Sequence, residues 1–165
     1  MKDFRQIRLI FSAISLLIIH TVFLPYISIE GYIPDLFVLL LVYIIVTKGQ
    51  IEATIYGFGI GLLQDVVSTK FLGLTALSKT LASFVIGYFH NENTIQQTLS
   101  TYRYVLLVVI FSIIQNLVYF IIFFQGQDSV ILRTLESTTF ITIYTALLGV
   151  LPVFYFAKRY STDLI

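Results

Sequence analysis

Six apolar stretches, at roughly 6–24, 34–47, 50–67, 71–89, 103–124 and 137–158, occupy nearly the whole chain. About 20 apolar residues cross a bilayer as helix, and a helix satisfies its own backbone where there is no water. The second stretch is short, which implies little tilt, a start in the interface, or a partly re-entrant path. Turn chemistry falls between the stretches. Pro25 and Gly31 to Pro34 part the first two, Lys48-Gly49-Gln50 the next pair, and Ser68-Thr69-Lys70 the third and fourth. The polar stretches HNENTIQQT (90–98) and QGQDS (125–129) read as the longest loops. Only 12% of residues are charged and 58% are apolar, against about a quarter and a half in soluble domains. No repeat, low-complexity tract or soluble domain is left over. The expected fold is an all-α membrane protein, residues 1–165 forming a single integral membrane domain of six transmembrane helices in one compact bundle.

Lys and Arg set orientation. With the N-terminus inside, Lys2, Arg5, Arg8, Lys48, Arg103, Lys158 and Arg159 lie on the cytoplasmic side, against Lys70 and Arg133 outside. Both termini are then cytoplasmic; a miscounted second helix would turn the C-terminus outward. The N-terminal MKDFRQIRLIF has the basic start and apolar run of a signal peptide. No small-residue cleavage site follows, so it reads as a retained first helix, with a cleaved signal as the alternative.

The residue inventory narrows the chemistry. There is no Cys, hence no disulfide framework or thiolate metal site. A net charge of +1 without a basic cluster argues against nucleic acid. His20 and His90 are expected on opposite sides of the membrane, too far apart to share a metal. No HExxH or Walker A pattern occurs, and GFGIG lacks the glycine at position 62 that a dinucleotide fingerprint needs. A Ser-His-Asp site has no support near either histidine. No enzyme, metal or cofactor is expected.

Residues 57–65, GFGIGLLQD, place three glycines and an acid inside the third segment. Ala53, Gly57, Gly61 and Asp65 step by four and form one slanting stripe, with Gly59 on roughly the opposite face. Thr75, Lys79, Ser83 and Gly87 step likewise on the fourth. Small residues at this spacing let helix backbones approach closely in lipid. Ala53, Gly57 and Gly61 against Ser83 and Gly87 therefore form a candidate packing seam between antiparallel neighbours; a flexible point for bending around a ligand is the other reading.

Asp65, Lys79 and Asp35 form a candidate polar cluster. A charge at the centre of a membrane helix costs about 2.5–3.5 kcal/mol on insertion scales, so it usually faces protein and finds a partner. Lys79 lies about 12 Å along the fourth helix at 1.5 Å per residue. Its partner is Asp65 or Asp35, and its role is to fix packing or to contact a ligand, ion or partner. Pro34 and Asp35 also read as an ordinary helix start. His20 reads as interfacial, and Gln115 and Asn116 as amides bonding between helices. Tyr and Phe fall mostly at segment flanks and lipid-facing positions.

IPDLFVLLLVY (33–43), GFGIGLLQD (57–65) and FLGLTALSKTLASFVIGYF (71–89) together resemble the MreD family of rod shape-determining membrane proteins. The matching features are Pro34-Asp35, then Gly57, Gly61, Leu62 and Asp65, then Leu72-Gly73 with Ala76-Leu77. Outside 33–89 the resemblance rests on length and layout. It implies a bacterial inner-membrane scaffold of the cell-elongation machinery, serving lateral cell-wall synthesis. The implied partners are MreC through its membrane helix, with MreB, RodA and an elongation transpeptidase. It also implies a fold similar to the substrate-binding subunits of energy-coupling-factor transporters. A vitamin-type substrate-binding subunit is the alternative function, in which Asp35, Asp65 and Lys79 would line a ligand pocket.

Overall fold

The computed structural model of the chain describes residues 15–28, 31–68, 71–126 and 129–162, the side chains of 159–162 excepted. Among the described residues the regular elements are helices. They are α1 (Ser15–Ile27), α2 (Leu36–Lys48), α3 (Gln50–Ser68), α4 (Leu74–Gly87), α5 (Ile95–Leu99), α6 (Tyr102–Phe123) and α7 (Val130–Thr162). Lys2, Arg5, Arg8, Lys70 and the Arg159 side chain, used above for orientation, lie outside the described residues.

Two helices are long and apolar enough to cross a membrane by length and composition: Tyr102–Phe123, with mean hydropathy 2.6, and Val130–Lys158, with 1.9. The others are shorter or more polar, and α2 shows why that is tolerable. Phe37, Val38, Leu41, Val42, Ile44 and Ile45 are all buried, so α2 is apolar around its whole circumference. It packs against α3, α4, α5, α6 and α7. A helix enclosed by its neighbours need not match bilayer thickness, because protein meets its ends. Tyr104 of α6 donates its hydroxyl to the Leu39 carbonyl of α2 at 2.7 Å.

Element ends follow local chemistry. α1 runs past the expected break at 24. A π-turn over Ile19–Phe23 leads into a 3₁₀ turn, Leu24–Ile27, that places Pro25 where its missing N–H costs little. Lys48 ends α2, and Gly49 turns the chain at φ +88°. The Lys48 ammonium then pairs with Glu52 at 2.8 Å and lies 5.1 Å from the Tyr56 ring centre. α4 begins at Leu74 rather than 71, because Phe71 to Gly73 form the turn. The stretch 90–98, read above as loop, contains a 3₁₀ turn (Glu92–Thr94) and α5. Asn91 nucleates them by accepting from the Asn93 N–H at 3.0 Å, and Leu99 anchors them in the core. α7 begins at Val130, about two turns before the expected 137. Arg133 and Glu136 are no obstacle to helix, only to lipid.

α3 and α4 make the most extensive helix contact, and α6 with α7 the next. The α3–α4 seam runs antiparallel. A Cβ on Gly57 would stand 2.5 Å from Ser83 Oγ and 3.1 Å from the Lys79 carbonyl. Gly61 faces the first turn of α4, where a Cβ would meet the Ala76 nitrogen at 2.7 Å and the Thr75 carbonyl carbon at 2.9 Å. Gly87 faces Gln50, with its Cα at 2.7 Å. Ala53 is fully buried between them. Gly57 therefore meets Ser83, whereas Gly61 and Gly87 each meet the far end of the partner helix instead of one another's small residues. Gly59 has open space around it.

Gly61→Leu should lower stability by at least the about 1–3 kcal/mol usual for overpacking, because the obstacle is backbone. Gly59→Leu is the matched control and should melt with the wild type. Thermal unfolding in mild detergent checks the pair; equal melting of both variants would contradict the seam.

Candidate functional site

The first turn of α2 gathers four helices. Pro34 precedes the helix, and Asp35 is its N-cap rather than a residue of its first turn; Asp35 Oδ1 accepts from the Phe37 N–H at 3.0 Å. Capping leaves the second carboxylate oxygen free to point inward. There it accepts from the Lys79 ammonium of α4 and from Gln115 Nε2 of α6, the latter at 2.9 Å. Lys79 also donates to Gln115 Oε1 at 3.0 Å, closing a three-membered ring of side chains. The Asp35 backbone N–H donates to Thr145 Oγ1 of α7 at 3.1 Å. Lys79 has no exposed surface, and the Phe37 ring lies 5.9 Å from its nitrogen. Asp35 is thus the partner of Lys79, and Gln115, read above as a generic interhelical amide, is the third member.

Asp65 is not part of this ring. It is buried, and its carboxylate accepts from three backbone donors at the start of α4: Gly73 at 2.9 Å, Thr75 at 3.1 Å and Ala76 at 3.1 Å. The cap position of α4 is Gly73, held at φ +92° with no side chain to offer. The first turn of a helix leaves unsatisfied N–H groups and a partial positive charge. Asp65, reaching from the end of α3, supplies both the acceptors and the negative charge. The expected cluster of Asp35, Asp65 and Lys79 is therefore two separate devices.

Above the ring lies a cavity of about 490 Å³ at the end of the bundle where α3 and α6 finish and α2, α4 and α7 begin. Asp35 and Gln115 reach its wall, together with His20, Gln64, Asn116 and Ser137. His20 also lies against Phe37, with ring centres 5.5 Å apart. His90 sits at the other end, donating from Nδ1 to the Val46 carbonyl at 3.1 Å beneath Gly49. α7 contributes a hydroxyl stripe that sequence reading missed: Thr134, Ser137, Thr138, Thr142 and Thr145 are all buried. Their spacing of three and four was the available signal. Thr142 is bonded to Ser112 of α6 at 3.2 Å. Among the described residues no three His, Asp or Glu side chains come together as a metal site would need.

Lys79→Met should cost about 3–5 kcal/mol, because it strands the Asp35 carboxylate in a buried place. Adding Asp35→Asn removes the stranded charge, so the double variant should melt above Lys79→Met alone. Asp65→Ala should cost on the order of 2–3 kcal/mol for three orphaned donors, and Asp65→Asn, which keeps one acceptor, less. Melting temperatures of the purified variants check both orders.

A model of the rod shape-determining protein MreD family matches residues 4–160, nearly the whole chain. No curated protein and no solved structure matches it. The buried Asp35 start of α2, the seam and the α4 cap all fall within the matched range, and the chain belongs to the MreD family of rod shape-determining membrane proteins.

Proposed function

We propose that the chain is a non-catalytic scaffold of the cell-elongation machinery, holding the membrane helix of MreC against its bundle. MreB, RodA and an elongation transpeptidase complete the assembly in this reading. The chain crosses the inner membrane six times as one domain, with both termini in the cytoplasm. Its bundle is of the kind found in energy-coupling-factor substrate-binding subunits.

The observation that carries the reading is the direction of the polar groups. Lys79, Asp35, Gln115 and Asp65 are bonded to one another or to helix ends inside the bundle. The exposed face of α3 is Ile51, Ile55, Phe58, Leu63 and Val66, and that of α7 includes Leu135, Ile143, Leu147, Leu151 and Phe154. Such faces offer a membrane partner shape and van der Waals contact, which is how helices associate in lipid. In this orientation Lys48, Arg103 and Lys158 belong to the cytoplasmic end.

A mild-detergent pull-down from native membranes, with partners identified by mass spectrometry, tests the proposal. MreC and wall-elongation proteins should be recovered. Recovery of an ATPase pair without MreC would replace the scaffold by a transporter subunit.

A further inference from the structure

The 490 Å³ cavity does not stand alone. A second cavity of about 230 Å³ lies between α1, α2 and α3 and shares His20, Ile33, Gln64 and Ser68 with the first. The two differ in chemistry. The larger is lined by the amide and hydroxyl residues Gln64, Asn116, Thr75 and Ser137 together with Tyr119 and Phe120. The smaller adds Leu17, Phe37, Pro25 and Val67. Thr21, Pro25 and Val67 are themselves exposed, so this apolar annex reaches the outer surface of the bundle.

A chamber of mixed lining with several polar groups, adjoining a more apolar annex that reaches the outer surface, has the shape of an amphiphile. We propose that the pair of cavities is a binding site for a single lipid with an uncharged, hydroxyl-rich head group. The head occupies the larger cavity, and the start of an acyl chain leaves past Val67 between α1 and α3. Two observations choose the head group. Gln64 Oε1 is buried and has no hydrogen-bond partner, although Gln64 lines both cavities. An orphaned acceptor of this kind calls for a donor such as a hydroxyl. Asn116 gives one amide N–H to Ser112 Oγ at 3.1 Å, and an amide has a second N–H and a carbonyl besides, a pair that a hydroxyl, both donor and acceptor, can match.

Charge excludes the common alternatives. Asp35 lines the cavity and Lys79 does not, so a phosphate would meet the carboxylate before the ammonium. A cation gains little either, because the Asp35 oxygens already accept from Phe37, Lys79 and Gln115. A ring of hydroxyls has neither problem, and its C–H faces fit against Tyr119 and Phe120. The cavity volume lies within the range of about 300–1,000 Å³ typical of small-ligand sites.

The test is native mass spectrometry of the full chain, reconstituted in vesicles of equal parts phosphatidylglycerol and monoglucosyl diacylglycerol and then released in mild detergent. The glucolipid should be retained over phosphatidylglycerol. Gln64→Leu should weaken retention roughly five- to tenfold, the loss expected for one hydrogen bond to a buried acceptor. Val67→Trp, at an exposed position that folding tolerates, should block the annex and weaken retention with the melting temperature unchanged. Equal retention of both lipids, or retention unaltered in both variants, would overturn the site. Methyl glucoside stabilising the chain as strongly as the glucolipid would overturn the lipid assignment in favour of a free polyol.

Discussion

An ammonium with no exposed surface has to be answered by the protein around it. Lys79 would be intolerable in an apolar bundle unless a carboxylate stood beside it, and a carboxylate there would be intolerable without the ammonium. Asp35 answers it, and in doing so fixes where α2 must begin relative to α4. Gln115 bonds to both, which sets the rotation of α6. The backbone of Asp35 reaches Thr145, which sets the height of α7. Four helices thereby share one point whose geometry leaves little slack. The apolar packing of α2 fills space around that point, but it does not by itself select one register, since Leu, Ile and Val on every face fit several.

The α3–α4 pair is held by a different logic. Glycine brings the backbones together at Gly57 and Gly61, and Asp65 ends the pair by capping the neighbouring helix. The cap makes the turn between the helices part of the seam. An approach close enough for Gly61 to face Ala76 is what brings Asp65 within hydrogen-bonding distance of the Ala76 N–H. Small residues and the acid are in this sense one device, in which each makes the other useful.

Much of this could be read in the chain beforehand, and the limits have physical causes. Helical segments were visible because lipid requires long apolar runs, whereas α5 was hidden in a polar stretch too short to show a period. Lys79 announced that it needed a partner, but choosing between Asp35 and Asp65 required the rotation of each helix, which four-residue spacing does not give. Gln115 looked like any membrane amide because neutral amides carry no sign. The role of Asp65 had a legible clue: FLGLTAL offers no Ser, Thr, Asp or Asn ahead of Leu74, so the first turn of α4 had to borrow a cap. The seam was visible as spacing, while its register depended on where α4 starts, and that in turn on the cap.

The Asp35–Lys79–Gln115 ring also has an order in time. Lys79 follows Asp35 by 44 residues and Gln115 follows Lys79 by 36. At about 5–20 residues per second of synthesis, Asp35 waits on the order of 2–9 s for its ammonium and about as long again for the amide. During that interval α2 is short, apolar on all sides and headed by an uncompensated acid, which suits it poorly to stand alone in lipid. The ring of side chains at its head can close only after the ribosome has delivered α6. The partners of Asp35 thus arrive one after another along the chain, and the last of them, Thr145 of α7, follows Gln115 by a further 30 residues (145 − 115).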